Sequence, residues 1–310
     1  MSYAFSHRHL FDTDVLSTAD IETILSLASG YAEQNRKRDR KIDKLRGRTC
    51  VNLFFENSTR TRTSFEIAAK RLGSAVISIP VAQSSTTKGE TLLDTALNLD
   101  AMQIDALIMR HSEDRAPQSI AKHINAHVIN AGDGKCAHPT QALLDAMTIL
   151  RHKGRLDGLS VAICGDVARS RVARSNIHLL KKYGADIRVI APDYFLSDDY
   201  KTMGVQIFSD LEAGIKDVDA VMMLRIQHER PGAGCDFSAH AQEYIATYGL
   251  NHDKLKVAKP DVIVLHPGPI NRDVEITDAL AADPQYSVIL EQVEMGVAVR
   301  MAVIDLLVSA

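Results

Sequence analysis

Thr49-Cys-Val-Asn-Leu-Phe-Phe-Glu-Asn-Ser-Thr-Arg-Thr-Arg-Thr-Ser-Phe-Glu-Ile-Ala-Ala-Lys-Arg-Leu72 reads as a strand that feeds a helix. Residues 49–55 are a short β-rich run, and Phe65, Ala68, Ala69 and Leu72 then recur on one helical face. The joint holds Ser58, Thr59, Arg60, Thr61 and Arg62, three hydroxyls and two guanidinium groups in five residues. A helix start presents backbone N–H groups without intrahelical partners at the positive end of the dipole. Hydroxyls and arginines added there suit a dianionic phosphate. A cap followed by a solvated basic turn accounts for a lone Ser-Thr-Arg, but less well for a cluster this dense. No Gly-x-x-x-x-Gly-Lys-Ser/Thr motif occurs, so the site is not the usual nucleotide P-loop.

The alternation continues outward from this stretch. Further β-rich runs lie at 75–79, 105–109 and 127–130, with helical patterns near 60–72, 90–99 and 117–124. A second set of runs follows at 159–164, 186–190, 205–208, 218–224 and 261–265. The expected fold is α/β, two doubly wound domains with a central parallel sheet in each, closed by N- and C-terminal helices. The N-terminal helix starts at Ser17-Thr18-Ala19-Asp20. A helical pattern over 138–152 ends in the polar step Lys153–Gly158, which divides domain 1–150 from domain 151–286. The last helical segment, 287–310, has no strand after it and is expected to pack back on the first domain.

The chain has 310 residues, 45% apolar and 24% charged, with a net charge of −3. That balance gives no reason to expect nucleic acid or a membrane surface as partner. It also makes a local arginine cluster more telling. The four cysteines are far apart and form no Cys-x-x-Cys pair, so neither a disulfide framework nor a zinc site is implied. His123 and His127 have the spacing of a helical metal pair, but Asn125–Val128 reads as strand entry, and no metal is expected. With no long apolar stretch, the cytoplasm is the simplest compartment.

In open parallel sheets ligands collect beyond the carboxyl ends of the strands. Arg60 follows the first predicted strand, Lys88 the second, Arg110-His111 the third, and Gly132–His138 the fourth. In the second half, Asp166–Arg171, Arg225-Ile-Gln227 and His266-Pro-Gly-Pro269 hold the same position. The shared end predicts one cleft facing both domains. Taken singly, Arg110 could be a strand end reaching water, Lys88 a surface lysine and His138 a helix cap. Placed together, His138 could donate to a substrate carbonyl oxygen on which negative charge develops. Pro267 and Pro269 remove two N–H donors and leave backbone carbonyls to accept from an amine.

Four segments carry a resemblance: Phe54–Arg62, His138-Pro-Thr-Gln-Ala-Leu-Leu-Asp145, Arg225-Ile-Gln-His-Glu-Arg230 and His266-Pro-Gly-Pro-Ile-Asn-Arg272. They resemble the aspartate/ornithine carbamoyltransferase family nearly end to end. Arg-x-Gln-x-Glu-Arg and His-Pro-Gly-Pro are similar to its aspartate branch; ornithine enzymes typically carry His-Cys-Leu-Pro at the latter place. The resemblance implies cofactor-free and metal-free transfer from carbamoyl phosphate to the α-amine of L-aspartate, at the start of pyrimidine (UMP) biosynthesis. It implies Ser58, Thr59, Arg60, Thr61 and Arg110 on the phosphate, with Thr61, Arg110, His138 and Gln141 around the carbamoyl group. Arg171, Arg225, Gln227 and the backbone of Pro267 and Gly268 would bind aspartate. Lys88 and Ser84 (or Ser85) would reach into a neighbouring subunit's site, which implies a homotrimer. A regulatory or dihydroorotase-like chain is a possible further partner.

Overall fold

The computed structural model describes residues 5–80, 89–227 and 237–309. The chain divides into two compact units, one running to Leu144 and resuming at Val293, the other Asp145–Gln292.

The first unit opens with α1 (Thr18–Asn35), β1 (Thr49–Phe54), α2 (Thr59–Arg71), β2 (Ala75–Pro80) and α3 (Leu92–Ala101). It continues with β3 (Ala106–His111), α4 (Ala116–Ile120), β4 (His127–Asp133) and the start of α5 (Pro139–Lys153). The strands are all parallel, in the order β2-β1-β3-β4. Val51, Leu53, Leu107, Met109 and Val128 pack against Ala96 and Leu99 of α3 and Ile120 of α4, all buried. Each such large side chain withdrawn from water contributes about 1.5–3 kcal/mol. On the other side Phe65, Ala68 and Ala69 of α2 are fully buried, as the helical spacing of that stretch predicts.

β3 and β4 run further than the sequence pattern suggests. Arg110 and His111 lie within β3 and Gly132 and Asp133 within β4. The register shifts between Met109 and His111, and that irregularity takes the strand past the point where apolar patterning stops.

The open edge of β4 is covered by the N-terminal segment, where the Leu10 N–H donates to Val128 O at 2.9 Å and Asn130 N–H to Leu10 O at 2.9 Å. His9 joins in through Nδ1, which accepts from Val128 N–H at 3.0 Å. Burial, helped by Arg8 and His127, lowers the His9 pKa to about 4. Between about pH 4 and 6.5 the unfolded chain therefore carries a proton on His9 that the native chain refuses. Stability from this contact is full above 6.5 and is lost as pH falls toward 4. One such group gives a slope of at most about 1.4 kcal/mol per pH unit, and solvent screening at a half-buried ring reduces it. Melting temperatures of His9→Asn across pH 4–6.5 are expected to fall less steeply than those of the unmodified chain.

The second unit contains β5 (Ser160–Cys164), α6 (Arg171–Lys181), β6 (Asp186–Ile190), α7 (Asp199–Thr202), β7 (Gln206–Phe208) and α8 (Leu211–Ile215). It continues through β8 (Ala220–Met223), α9 (Phe237–Tyr248), α10 (His252–Leu255), β9 (Ile263–Leu265) and α11 (Asp278–Ala281). Its parallel sheet has the order β7-β6-β5-β8-β9. α12 (Ile289–Val308) begins here and ends in the first unit. There Asp305 accepts from Tyr31 Oη at 2.6 Å and from Lys44 Nζ at 2.6 Å, fastening the terminal helices to each other.

Gly165, just after β5, has φ 124°, and a Cβ there would lie 2.7 Å from Leu224 O. Only glycine lets the ends of β5 and β8 approach this closely. Gly165→Ala combines a strained backbone with a backbone clash and is expected to cost about 2–3 kcal/mol, read by denaturant unfolding.

Candidate active site

In the first unit the strand order reverses between β1 and β3, the position at which doubly wound sheets bind ligands. Phe54 and Arg110 are register partners there, and Phe55 N–H donates to Arg110 O at 2.9 Å. α2 starts directly after β1. Ser58 is its N-cap in an extended conformation (φ −158°, ψ 92°), and its side chain makes no capping hydrogen bond among the described residues. The first turn, Thr59-Arg60-Thr61-Arg62, carries no acid to offset the dipole. Thr59, Arg60 and Arg62 are exposed and Thr61 is buried. The first-turn amide groups, hydroxyls and guanidinium groups are thus gathered at one end of α2.

Glu56 and the Ala131 carbonyl help to aim Arg110. Its Nε donates to Glu56 Oε2 at 3.1 Å and its Nη1 to Ala131 O at 3.2 Å. Neighbouring His111 accepts from Glu113 N–H through Nδ1 at 3.0 Å and meets the Phe55 ring edge-on at 4.8 Å. Burial holds its imidazole below the ordinary range, so it adds no charge beside Arg110 near neutrality.

His138 immediately precedes α5 and is buried, as are Thr140 and Gln141. Its backbone carbonyl accepts from Gln141 N–H at 3.0 Å and Ala142 N–H at 3.2 Å, which opens the helix. Asp133 shapes the turn that delivers it. One carboxylate oxygen accepts from Ala137 N–H (3.0 Å) and Asn130 Nδ2 (2.9 Å), the other from Arg115 N–H (2.7 Å).

In the second unit the strand order reverses between β5 and β8. Ser170 caps α6 by accepting from Ala173 N–H at 3.1 Å, and Arg171 is the first helical residue, 4% exposed. Arg225 and Gln227 follow β8, both partly exposed. The Gln227 backbone is gripped from the β5 side, its N–H by Asp166 Oδ2 at 3.3 Å and its carbonyl by Arg169 Nη1 at 2.9 Å. Arg169 also pairs with Asp166 at 3.3 Å, and Arg174 pairs with Asp199 at 2.9 Å over the Tyr200 ring. Beyond β9, Pro267 and Gly268 form a turn in which Gly268 has φ 64°, the left-handed region that glycine enters without strain. Ser84, Ser85 and Lys88, and the end of the Arg225–Arg230 motif, lie outside the described residues.

Two family profiles cover the chain. The aspartate/ornithine carbamoyltransferase carbamoyl-P binding domain matches residues 8–151, and the Asp/Orn binding domain of the same family matches 157–307. The chain belongs to the aspartate/ornithine carbamoyltransferase family. Within the family, an aspartate carbamoyltransferase catalytic subunit from Rhodospirillum centenum is 56% identical over 304 residues, 98% of this chain and 95% of that protein. Two solved structures of the Trypanosoma cruzi aspartate transcarbamoylase are also similar. The complex with carbamoyl phosphate and aspartate has TM-score 0.85 and 33% identity, covering 96% of each chain. The complex with N-(phosphonacetyl)-L-aspartic acid has TM-score 0.84 and 31% identity, covering 96% and 94%.

The expected two-sheet α/β architecture is the one found in this chain. Four residues that organise the clusters have no role of their own in the sequence: Glu56, and, inside the strand-end segments singled out there, Asp133, Asp166 and Arg169. Glu56 alone offered a signal, a carboxylate inside an otherwise basic phosphate-type motif. The others act through backbone groups that come near only on folding. No helix among the described residues is long and apolar enough to cross a membrane.

Proposed function

We propose that this chain transfers the carbamoyl group of carbamoyl phosphate to the α-amine of L-aspartate, releasing N-carbamoyl-L-aspartate and phosphate for pyrimidine synthesis. The observation that carries this reading is 56% identity, over nearly the whole chain, to an aspartate carbamoyltransferase catalytic subunit. Two basic clusters at the switch points of the two sheets support it, since both substrates are anions.

Ser58, Thr59, Arg60, Thr61 and Arg110 would hold the phosphate at the open end of α2. His138, with Thr61, Arg110 and Gln141, would surround the carbamoyl group and donate to its carbonyl oxygen. Arg171, Arg225 and Gln227 would grip the dicarboxylate, and the carbonyls of Pro267 and Gly268 would orient the amine. The neutral amine nitrogen attacks the carbamoyl carbon, charge collects on the carbonyl oxygen facing His138, and the C–O bond to phosphate breaks. The departing phosphate takes the proton from nitrogen, so no separate base is needed. Holding two mutually repelling anions in attack geometry can contribute about 7–11 kcal/mol to lowering the barrier, and the arginines offset the repulsion that opposes it.

N-(phosphonacetyl)-L-aspartate joins both halves in one molecule and should raise the melting temperature, adding about 2.7 kcal/mol of stability at one hundred times its Kd. No stabilisation by this compound, with stabilisation by a phosphonacetyl-ornithine analogue instead, would contradict the reading.

Ser84 (or Ser85) and Lys88 are assigned to the neighbouring subunit's site in a cytoplasmic homotrimer. Subunits carrying Arg60→Ala and subunits carrying Lys88→Ala would each be nearly inactive, yet mixed trimers would regain activity at sites built from two intact halves. Verified subunit exchange without recovery would rule out sharing in trans.

A further inference from the structure

Glu275 is a fully buried carboxylate that the scheme above does not use. Its Oε1 accepts from Ile226 N–H at 3.2 Å, from Asn271 Nδ2 at 3.1 Å and from Asn271 N–H at 3.4 Å. The same Asn271 Nδ2 donates to Ile226 O at 3.1 Å. Ile226 sits between Arg225 and Gln227, so both of its backbone polar groups are fixed by this pair of side chains. The carbonyl and N–H of Gln227 are meanwhile held by Arg169 and Asp166. The strand end that presents Arg225 and Gln227 is therefore clamped from the β5 side and from the β9 side.

His266 connects this clamp to the Pro267–Gly268 turn. Its Nδ1 accepts from Gly268 N–H at 2.8 Å, so in the neutral ring the proton is on Nε2. Nε2 lies 3.8 Å from Glu275 Oε1, and both side chains are 0% exposed. His266 N–H is itself pinned by Gln292 Oε1 at 2.9 Å. Among the described residues neither His266 Nε2 nor Glu275 Oε2 has a hydrogen-bond partner. A buried carboxylate beside a buried imidazole is costly compared with an apolar pair of the same volume, and a purely structural core has no need of it.

We propose that Glu275 and His266 are positioning residues for the amine substrate. Glu275 fixes the backbone between Arg225 and Gln227, His266 fixes the turn carrying the Pro267 and Gly268 carbonyls, and their mutual contact sets the distance between the two groups. The inference rests on the assignment of those four residues to aspartate. It makes substrate choice a property of a buried pair that touches no ligand.

The test is steady-state kinetics of the full chain with Glu275→Gln, Glu275→Ala, His266→Asn and the Gln/Asn double variant. Gln keeps the volume and an acceptor oxygen for Ile226 and Asn271 but removes the carboxylate charge that faces His266; Asn at 266 can still accept from Gly268 N–H but lacks the Nε2 that faces Glu275. The expected result is a KM for aspartate raised about tenfold in Glu275→Gln and His266→Asn, and about a hundredfold in Glu275→Ala. The KM for carbamoyl phosphate stays within about twofold. The double variant is no worse than the weaker single one, because both break one contact. An aspartate KM unchanged in folded Glu275→Gln and His266→Asn overturns the proposal, and so do effects that multiply in the double variant. Should Glu275→Ala fail to fold, the two isosteric variants decide the matter. Failure of the unmodified chain to carbamoylate aspartate would instead remove the functional reading beneath it.

Discussion

His138→Ala is expected to lower kcat by about 10²–10³-fold while leaving the KM for carbamoyl phosphate nearly unchanged. The size follows from removing one preorganised donor at the oxygen where charge develops, an interaction that strengthens only in the transition state. It is the backbone carbonyl of residue 138 that accepts from Gln141 and Ala142, so alanine keeps the start of α5. Asp133 holds the preceding turn through Ala137 and Arg115 N–H groups and does not depend on the imidazole. Stopped-assay kcat values beside circular-dichroism melts would check this. A large KM rise with kcat unchanged would mean that His138 merely binds the ground state.

Arg225→Ala is expected to reduce kcat/KM for aspartate by about 10²–10³-fold, mostly through KM. Stripping one partner from a desolvated, hydrogen-bonded charge pair costs about 2–5 kcal/mol, and a flexible cation would lose less. Arg225 is not flexible at its base, since the residue after it is held at both N–H and carbonyl. Binding of carbamoyl phosphate, measured by calorimetry, should be unaffected, because the arginine is assigned to the other substrate. An equal loss of affinity for both substrates would contradict the division of labour between the two clusters.

The architecture was legible because parallel strands buried on both faces read as short apolar runs, and their helices read at a period of 3.6. The placement of Arg60 just after β1 and of Arg225 just after β8 followed directly. Strand ends were less legible: Arg110, His111 and Asp133 interrupt the apolar pattern, yet β3 and β4 continue through them across an irregular register. The roles of Asp166 and Glu275 were illegible for a different reason. Asp166 meets Gln227 61 residues away and Glu275 meets Ile226 49 residues away, both through backbone groups that every residue possesses. No side-chain pattern marks such a partner. His266 stood in the Pro267–Gly268 motif, but its Nδ1 contact with Gly268 is a local turn that only the folded loop reveals.

The most direct measurement is product identification after the purified chain is given carbamoyl phosphate with aspartate or with ornithine, beside an Arg60→Ala control. The expected result is N-carbamoyl-L-aspartate and phosphate in equal amounts, no carbamoyl-ornithine, and loss of turnover in the control. Turnover with ornithine would leave the phosphate cluster standing and overturn the roles given to Arg171, Arg225, Gln227 and the Pro267–Gly268 turn. Turnover with neither amine would contradict the account as a whole.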